Sequence, residues 1–533
     1  MIDLHSHELW QLVGLLFGVG VLLVLAPVLR IPYPILLVLG GLALAFVPGL
    51  PEFELRPEVI LLGFLPPLLY SSAFFTSVRD LRANLRPVSL LAIGLVAATM
   101  VGVAAVAHWL VDDLTWPAAF VLGAIVSPTD PIAATSIGRR LGVPRRLITV
   151  IESESLLNDA SALVFYRTAV VATVAGTFSL WGAGGELVLN AVGGIAIGLA
   201  VGYVVRQVRK RLDDPPTEIT VALLTAYLAY LPAEALGVSA VLAAVTVGLY
   251  MGWYTPELTN AETRLHGEAF WTILTFILNA ALFTLVGLQI PHVLDQLDGW
   301  STSELALSAT GVCAAVILIR LAWVFPLAYV PRFLSRRIRA RDPYPTWRIP
   351  LVLGWAGMRG GVSLAAALAI PLTTDTGAAF PGRDIIIFLA SCVILTTLVL
   401  QGLTLPLLIK LVGLEDDGAE AASEEAKARI RAAEVALARL EQLVEEGEVR
   451  EDTAERIRGA YTFRADRFRE RLDPERSEIE DRSQAFQQIR RELLRAEEEG
   501  VLELRRAGVI SDDVMNRILR DLALEELRLD FGA

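Results

Sequence analysis

Apolar runs of membrane-spanning length recur along most of this chain, and they limit its possible folds more than any other feature. An α-helix needs about 20 mostly apolar residues to cross the hydrocarbon core of a bilayer. The sequence, which is 54% apolar overall, therefore predicts an all-α polytopic membrane protein with thirteen transmembrane helices. The runs lie near residues 8–29, 33–48, 57–75, 86–111, 116–138, 147–176, 182–208, 217–235, 237–254, 267–290, 302–331, 346–371 and 383–412.

The positive charges between these runs predict the orientation. With the N-terminus outside, nineteen Lys and Arg residues fall in inside loops, and two, Arg56 and Arg383, fall in outside loops. Positive residues are enriched in cytoplasmic loops. We therefore expect a multi-pass protein of the cell (inner) membrane with a cytoplasmic C-terminal tail. The inside residues are Arg30, Arg79, Arg82, Arg86, Arg139, Arg140, Arg145, Arg146, Arg206, Arg209, Lys210, Arg211, Arg264, Arg332, Arg336, Arg337, Arg339, Arg341 and Arg348.

Thirteen helices divide into two groups of six with one linking helix between them, which predicts two inverted six-helix repeats. Helix 1 would start outside and helix 8 inside, a plan common among secondary transporters. The fifth helices of the two repeats are then helices 5 and 12. Helix 5 carries Pro128 and Pro131, and helix 12 carries four glycines around Arg359. Both helices are thus predicted to be broken near their middles.

Two of the apolar runs carry carboxylates at membrane depth. Residues 127–131 read Ser-Pro-Thr-Asp-Pro, and residues 152–159 read Glu-Ser-Glu-Ser-Leu-Leu-Asn-Asp. At 1.5 Å per residue, Asp130 and Asp159 lie about 21 and 18 Å from the starts of their helices, near the midplane. Inserting a charged side chain at the bilayer midplane costs at least ~2.5–3.5 kcal/mol of free energy. Acids beside a helix break predict an ion site.

Helical spacing assigns these acids to different faces of helix 6. Ser155 and Asp159 share one face because they are four residues apart. Glu154 lies roughly 140° away, so it needs a cation on another helix, either Arg320 or Arg359. Glu152 returns to the Asp159 face and is expected at an entrance.

Several polar residues keep a second interpretation. Asp130 either binds the ion or neutralises helix ends at the break, and Arg359 has either a structural or an electrostatic role. Asn279 either joins helices by hydrogen bonding or reaches the site.

The residues after Leu414 differ in character from the rest. Residues 415–533 carry nearly all of the net charge of −12 and are rich in helix-forming residues. We therefore divide the chain into a transmembrane domain, 1–414, and a cytosolic acidic helical domain, 415–533. This tail either regulates the protein or serves as a solubilising or dimer-supporting appendage. The charge excludes a nucleic-acid partner. We see no hydrolytic or phosphate-loop motif, so neither an enzyme nor a bound cofactor is expected.

The ordered motifs resemble the monovalent cation:proton antiporter-1 family, the bacterial sodium/proton exchangers of the NhaP kind. The match covers about residues 8–412. The segments that carry it are Pro66–Tyr70, Ser127–Pro131, Glu154–Asp159, Phe276–Asn279 and Gly357–Gly361.

This resemblance implies a homodimeric antiporter in which broken helices 5 and 12 cross. Asp159 would take a proton or a cation in turn. Asn158 before it marks electroneutral members, which implies exchange of one cation for one proton. Thr129, Asp130 and Ser155 would join Asp159 as ligands of the transported Na+.

The resemblance also implies that Glu154 and Arg320 form a structural ion pair, with Arg359 acting electrostatically near the site. One departure concerns helix 3, where some relatives place an acid after the Pro-Pro-Leu-Leu run. This chain has Ser71, Ser72 and Ala73 there, which leaves the coordination shell open.

We therefore expect exchange of Na+, with Li+ and K+ as further candidate ions, for H+ by alternating access, serving pH and sodium homeostasis. The alternatives are a potassium/proton-selective antiporter, a cation channel, or a sensor with the tail as output. Competition of a proton and a cation for one acid favours alternation over a channel.

Overall fold

The computed structural model of this chain is mostly helical in the residues that it describes, which are 6–29, 31–47, 62–112, 114–176, 180–295, 297, 300–414, 418–472 and 478–530. No β-strand occurs in those ranges; one isolated bridge joins Thr373 and Ala379. The chain divides into two compact units, Met1–Asp416 and Asp417–Ala533. Arg30 and Arg56, which were used to predict the orientation, lie outside the described residues, as does Glu415 at the start of the predicted tail.

The first unit contains the apolar helices. In chain order they are α1 (Ser6–Leu29), α2 (Tyr33–Ala45), α3 (Leu65–Phe75), α4 (Val78–Ala83), α5 (Leu85–Ser89), the π-helical turn π1 (Leu90–Leu95), α6 (Val96–Leu110), α7 (Trp116–Val126), α8 (Pro131–Arg140), α9 (Arg145–Ala175), α10 (Leu180–Arg209), α11 (Pro215–Ala235), α12 (Ala240–Leu258), α13 (Ala261–Asp295), α14 (Thr302–Leu334), α15 (Arg336–Arg341), α16 (Arg348–Trp355), α17 (Gly361–Leu368), α18 (Arg383–Thr396), the π-helical turn π2 (Thr397–Gln401) and α19 (Gly402–Val412).

Six helical stretches among the described residues are long and apolar enough to cross a membrane. They are Leu85–Leu110, Trp116–Arg140, Val188–Arg209, Ala261–Leu294, Thr302–Leu334 and Arg383–Val412. Helix α9 is 31 residues long but carries Glu152, Glu154, Asp159 and Arg167. Its charges, rather than its length, therefore keep it out of this set of six. The structure is that of a helical polytopic membrane protein, and the count of thirteen stays a prediction.

The described residues of the second unit form the helices α20 (Ala419–Glu445), α21 (Glu451–Arg471), α22 (Glu478–Arg506) and α23 (Asp512–Asp530). Consecutive helices pack against each other. Arg458 of α21 donates to both carboxylate oxygens of Glu441 on α20, at 2.8 and 3.1 Å. These exposed pairs give the unit a charged surface.

The buried apolar residues of the first unit form three clusters. Helices α3, α11 and α12 share one apolar cluster, to which α10 contributes Val205. Most residues of the other two clusters come from α2, π1, α6, α7, α8, α14, α16, α18 and α19, and α9, α13 and α17 contribute to all three. Helix α13 runs along α2 at a backbone approach so close that a Cβ on Gly41 would overlap the carbonyl of Thr284. Small residues allow such contacts between membrane helices.

Both helices that were predicted to be broken are interrupted. Helix 5 is divided into α7 and α8, with a gap at residues 127–130, and helix 12 into α16 and α17, with a gap at residues 356–360. Prolines explain the first break because they remove backbone donors. Two of the five residues in the second break, Gly357 and Gly360, are glycines.

Two arginines that the sequence placed in loops are buried at helix ends. Arg209 donates to Glu218 of α11 at 3.2 Å, and both side chains are nearly inaccessible. Arg332 donates to Asp342 at 2.6 Å, and Asp342 also accepts from Arg86 and Arg146.

Asp342 therefore joins three segments of the first unit, because its partners lie on α5, α9 and α14. Partial burial acts to raise the pKa of Asp342, but the hydrogen bond from Arg332 and the charge of Arg146 outweigh it and hold that pKa below its usual value.

Candidate functional site

The two broken helices touch at their breaks. The amide of Asp130 donates to the carbonyl of Met358 at 2.8 Å. Arg359 donates from Nε to the carbonyl of Val126 at 2.9 Å and from Nη1 to the carbonyl of Gly357. Its amide donates to Thr397 Oγ1 of π2 at 3.0 Å. The buried Arg359 charge thus lies at the C-terminal, negative end of α7.

Asp130 lies beside the N-termini of two half-helices. Its Oδ1 accepts from the amide of Ile132 at 2.8 Å and caps α8. Gly360 precedes α17 without a side-chain cap, and a Cβ on Gly360 would overlap Oδ2 of Asp130. A carboxylate is stabilising at such positive helix ends. Glycine at position 360 is therefore what allows Asp130 to approach the second helix.

Thr129 connects the first break to α9. Ser155 Oγ donates to the Thr129 carbonyl at 2.7 Å, and Asn158 Nδ2 donates to Thr129 Oγ1 at 2.9 Å. The Thr129 hydroxyl donates in turn to Glu154 Oε1 at 3.3 Å. Three residues of α9 that the sequence singled out thus reach one threonine. The buried Oδ1 of Asn158 has no hydrogen-bond partner among the residues that the structure describes.

Glu154 pairs with Arg320 of α14. Arg320 Nη1 and Nη2 donate to Oε1 and Oε2 at 2.5 and 2.9 Å. Both side chains are 1% exposed, and Nη2 also reaches the carbonyl of Leu353 at 3.2 Å. Of the two cations that the sequence left open as the partner of Glu154, the structure brings Arg320 to it.

A cavity of about 420 Å³ opens onto these breaks. We call it the funnel. Thr129, Asp130, Ser155 and Asp159 line it, whereas Glu154, Asn158, Arg320 and Arg359 do not. Within the described part of the chain, neither carboxylate oxygen of Asp159 has a hydrogen bond or an ion pair. Asp159 is therefore an accessible, uncompensated acid at the funnel.

Glu152 also lines the funnel, where it pairs with Arg139 of α8 at 2.7 Å. Both side chains are partly exposed, as expected at an entrance. The pair joins α8 to α9, whose buried residues share one apolar cluster.

The funnel has lining residues that the sequence interpretation missed. Ser363 of α17, Ser72 of α3 and Thr272 and Thr275 of α13 face it, together with Asn279 and Ser71, whose roles were left open. The spacing of Thr272, Thr275 and Asn279 at intervals of three and four would have indicated a polar face of α13. Ser71 donates to the Leu68 carbonyl at 3.0 Å.

The donors around Asp159 suit a small hard cation, which prefers carboxylate, hydroxyl and carbonyl oxygens. The same carboxylate can instead hold a proton. The geometry therefore presents one acid with two competing occupants.

Comparison with known proteins assigns the family. Residues 13–411 match the model of the transmembrane sodium/hydrogen exchangers. An uncharacterized Na+/H+ exchanger of Mycobacterium tuberculosis is 36% identical, covering 97% of each chain. The Na+/H+ antiporter ApNhaP of Aphanothece halophytica is 33% identical, covering 93% of this chain and 92% of that protein.

The fold has a solved counterpart. The sodium proton antiporter MjNhaP1 of Methanocaldococcus jannaschii superimposes with a TM-score of 0.60 at 18% identity, covering 76% of this chain and 98% of that one. At this identity the likeness concerns the fold. With the family model and the relatives, it makes this chain a multi-pass transporter rather than an enzyme, and a member of the sodium/hydrogen exchanger family.

Proposed function

We propose that this chain exchanges Na+ for H+, one for one, by alternating access. The observation that carries the proposal is the accessible Asp159 carboxylate at the funnel, free of protein partners among the described residues. A carboxylate that holds Na+ has released its proton, and a protonated one has lost its affinity for Na+. The two fluxes are therefore coupled through a single group.

We propose that Thr129, Asp130 and Ser155 complete the Na+ shell with Asp159. Ser155 donates its proton to the Thr129 carbonyl, which leaves the lone pairs of its oxygen for a cation. The Thr129 carbonyl keeps a second lone pair. Asp130 would contribute charge at the site while it also neutralises the helix ends of α8 and α17.

Electroneutrality follows from the charges in this proposal. Glu154 and Arg320 neutralise each other, and Asn158 is neutral. Asp159 then binds one positive charge for each crossing of the membrane, as Na+ in one direction and as H+ in the other. The charge of Arg359 would stabilise the crossing of the two broken helices by offsetting the negative C-terminal end of α7.

We further propose a homodimer in the cell (inner) membrane, with thirteen spans in two inverted repeats, the N-terminus outside and the tail in the cytoplasm. Matched breaks in α7–α8 and α16–α17 and the arginine-rich loops support this arrangement. In this orientation the funnel faces the cytoplasm. The physiological role would be pH and sodium homeostasis.

The test is a transport assay in sealed vesicles that contain the purified protein. An imposed Na+ gradient should move protons the opposite way, and an imposed voltage without ion gradients should move neither ion. Repeating the assay with Li+ and K+ identifies the cation and would reveal a potassium/proton-selective antiporter.

Asp159→Asn should abolish this exchange while the protein still folds, as judged by its melting curve. Ser72→Ala, also at the funnel, is the control and should retain exchange. Na+-driven proton flux in Asp159→Asn would refute the assignment. A Na+ current without obligatory proton movement would instead indicate a channel.

A further inference from the structure

A second cavity, of about 220 Å³, lies beyond the funnel along the same two helices. On α9, Ser155 and Asp159 line the funnel, and Leu163 and Arg167 line the second cavity. On α17, Ser363 lines the funnel, and Ala366 together with Ala369, which follows the helix, lines the second cavity. The two cavities therefore follow one another in the same order on both helices, towards the Ala175 end of α9.

A packed apolar layer separates the two cavities. Ala160 of α9 lies between Asp159 and Leu163 in sequence, and Ala365 of α17 lies between Ser363 and Ala366. Both are buried in the cluster that contains Tyr230 of α11. An ion at Asp159 is thus closed off from the second cavity in this structure.

The walls of the second cavity are formed by two different pairs of helices. One wall is α9 with α17, and the other is formed by Tyr230 and Glu234 of α11 and Val241 of α12. Separation of these walls would join the second cavity to the Asp159 region.

An ion pair connects these two walls at the rim of the cavity. Arg167 Nη2 of α9 donates to both carboxylate oxygens of Glu234 on α11, at 2.8 and 2.6 Å. The side chains are 41% and 45% exposed, so the pair lies between the cavity and the solvent. On the funnel side, the Arg139–Glu152 pair joins α8 to α9 and involves neither α11 nor α12.

We propose that the second cavity is the closed vestibule of the opposite membrane side, and that Arg167 and Glu234 form the latch that holds it closed. The proposal deepens the alternating-access function and rests on it. When the walls part, Glu234 loses its partner and becomes a carboxylate at the mouth of the newly opened path. It would then attract the cations that exchange at Asp159.

The test measures access to the second cavity with a membrane-impermeant maleimide. In a background with Cys313→Ala and Cys392→Ala, reporter thiols are introduced separately as Ala366→Cys, at the second cavity, and Ser363→Cys, at the funnel beyond the apolar layer. Right-side-out and inside-out vesicles expose each side in turn. Labelling from the Glu234 side then reports how often the walls part.

Arg167→Gln should raise the labelling rate from the Glu234 side roughly two- to fivefold at both reporters. This is the range expected from losing the small free energy that a partly exposed ion pair contributes. Exchanging the charges, with Arg167→Glu and Glu234→Arg together, should return the rate to its starting value. Asp384→Asn, which removes a carboxylate of similar exposure from the start of α18, is the control and should change neither rate.

Three results would overturn the latch. They are an unchanged rate in Arg167→Gln, an equal rise in Asp384→Asn, and a rise at Ala366→Cys alone, which would mean local opening of the rim. Labelling needs no transport. Absence of proton-coupled flux in the unmodified protein would therefore refute the exchange function separately, whatever the labelling shows.

Discussion

The Glu154–Arg320 pair offers the sharpest test of how this site is stabilised. Both side chains are 1% exposed and joined by two hydrogen bonds. Glu154→Gln or Arg320→Gln leaves one buried charge without its partner, which typically costs ~3–5 kcal/mol. The double change removes both charges, so it should cost far less than the sum of the two single changes.

This cost converts into a measurable melting shift. At about 2.1 cal/mol/K per residue, the 416 residues of the first unit unfold with an entropy of about 0.9 kcal/mol/K. Each single change should then lower Tm by about 3–6 °C. Glu154→Gln should be the more damaging of the two because it leaves Arg320 facing Arg359, whose side chain also lies against Gly357.

The assay is thermal unfolding of the purified protein in detergent, for the wild type, both single variants and the double variant. The matched control is a second cycle that combines Glu154→Gln with Arg359→Gln. Arg359 is equally buried but donates to backbone carbonyls, so its coupling to Glu154 should be weaker. Additive melting shifts in the Arg320 cycle, or stronger coupling in the Arg359 cycle, would refute the reasoning.

Three further predictions concern the surroundings of the site. Gly360→Ala should abolish exchange because its Cβ overlaps the Asp130 carboxylate. Gly267→Ala, where the nearest atom to the Cβ is Ile219 Cγ1 at 4.0 Å, should not; equal activity of the two variants in vesicles would contradict this. Asp342→Asn should destabilise the protein by about 1.5–3 kcal/mol, the value of hydrogen bonds to charged groups. Because the pKa of Asp342 is lowered, its contribution is complete above about pH 4 and is lost only as the pH falls through that lowered pKa. The lowering of Tm by Asp342→Asn should therefore be equal at pH 6 and pH 8. A different lowering at the two pH values would refute the ionised pairing of Asp342 with its arginines. Ser155→Ala should weaken the apparent Na+ affinity about fivefold, from the loss of ~1 kcal/mol, measured as the Na+ concentration for half-maximal exchange; an unchanged value would exclude Ser155 as a ligand.

Much of the candidate site could be read from local sequence. Helical spacing put Ser155 with Asp159 and turned Glu154 away from them, and the structure has Ser155 and Asp159 lining the funnel and Glu154 behind it. The prolines at 128 and 131 indicated the break in helix 5. Such inferences succeed because the geometry of a helix fixes relative directions over a few residues.

Residues that act across long distances in the sequence were harder to find. Arg167 and Glu234 are 67 positions apart, and Arg209 was assigned to a loop although it is buried against Glu218. Gly360 carried a signal for a break but none for its contact with Asp130. No helical periodicity relates residues on different helices, so these pairings depend on how the helices pack.

The sequence by itself determined that this chain is a helical membrane protein with acids at depth, because the cost of placing polar groups in lipid restricts both composition and order. It also determined which residues of α9 share a face. Only the tertiary structure decided that Arg320, and not Arg359, pairs with Glu154, that Asp159 has no partner among the described residues, and that a second cavity lies beyond the funnel. Those outcomes depend on distances between helices, which are set by packing at small residues such as Gly41 and Gly360 rather than by any local pattern.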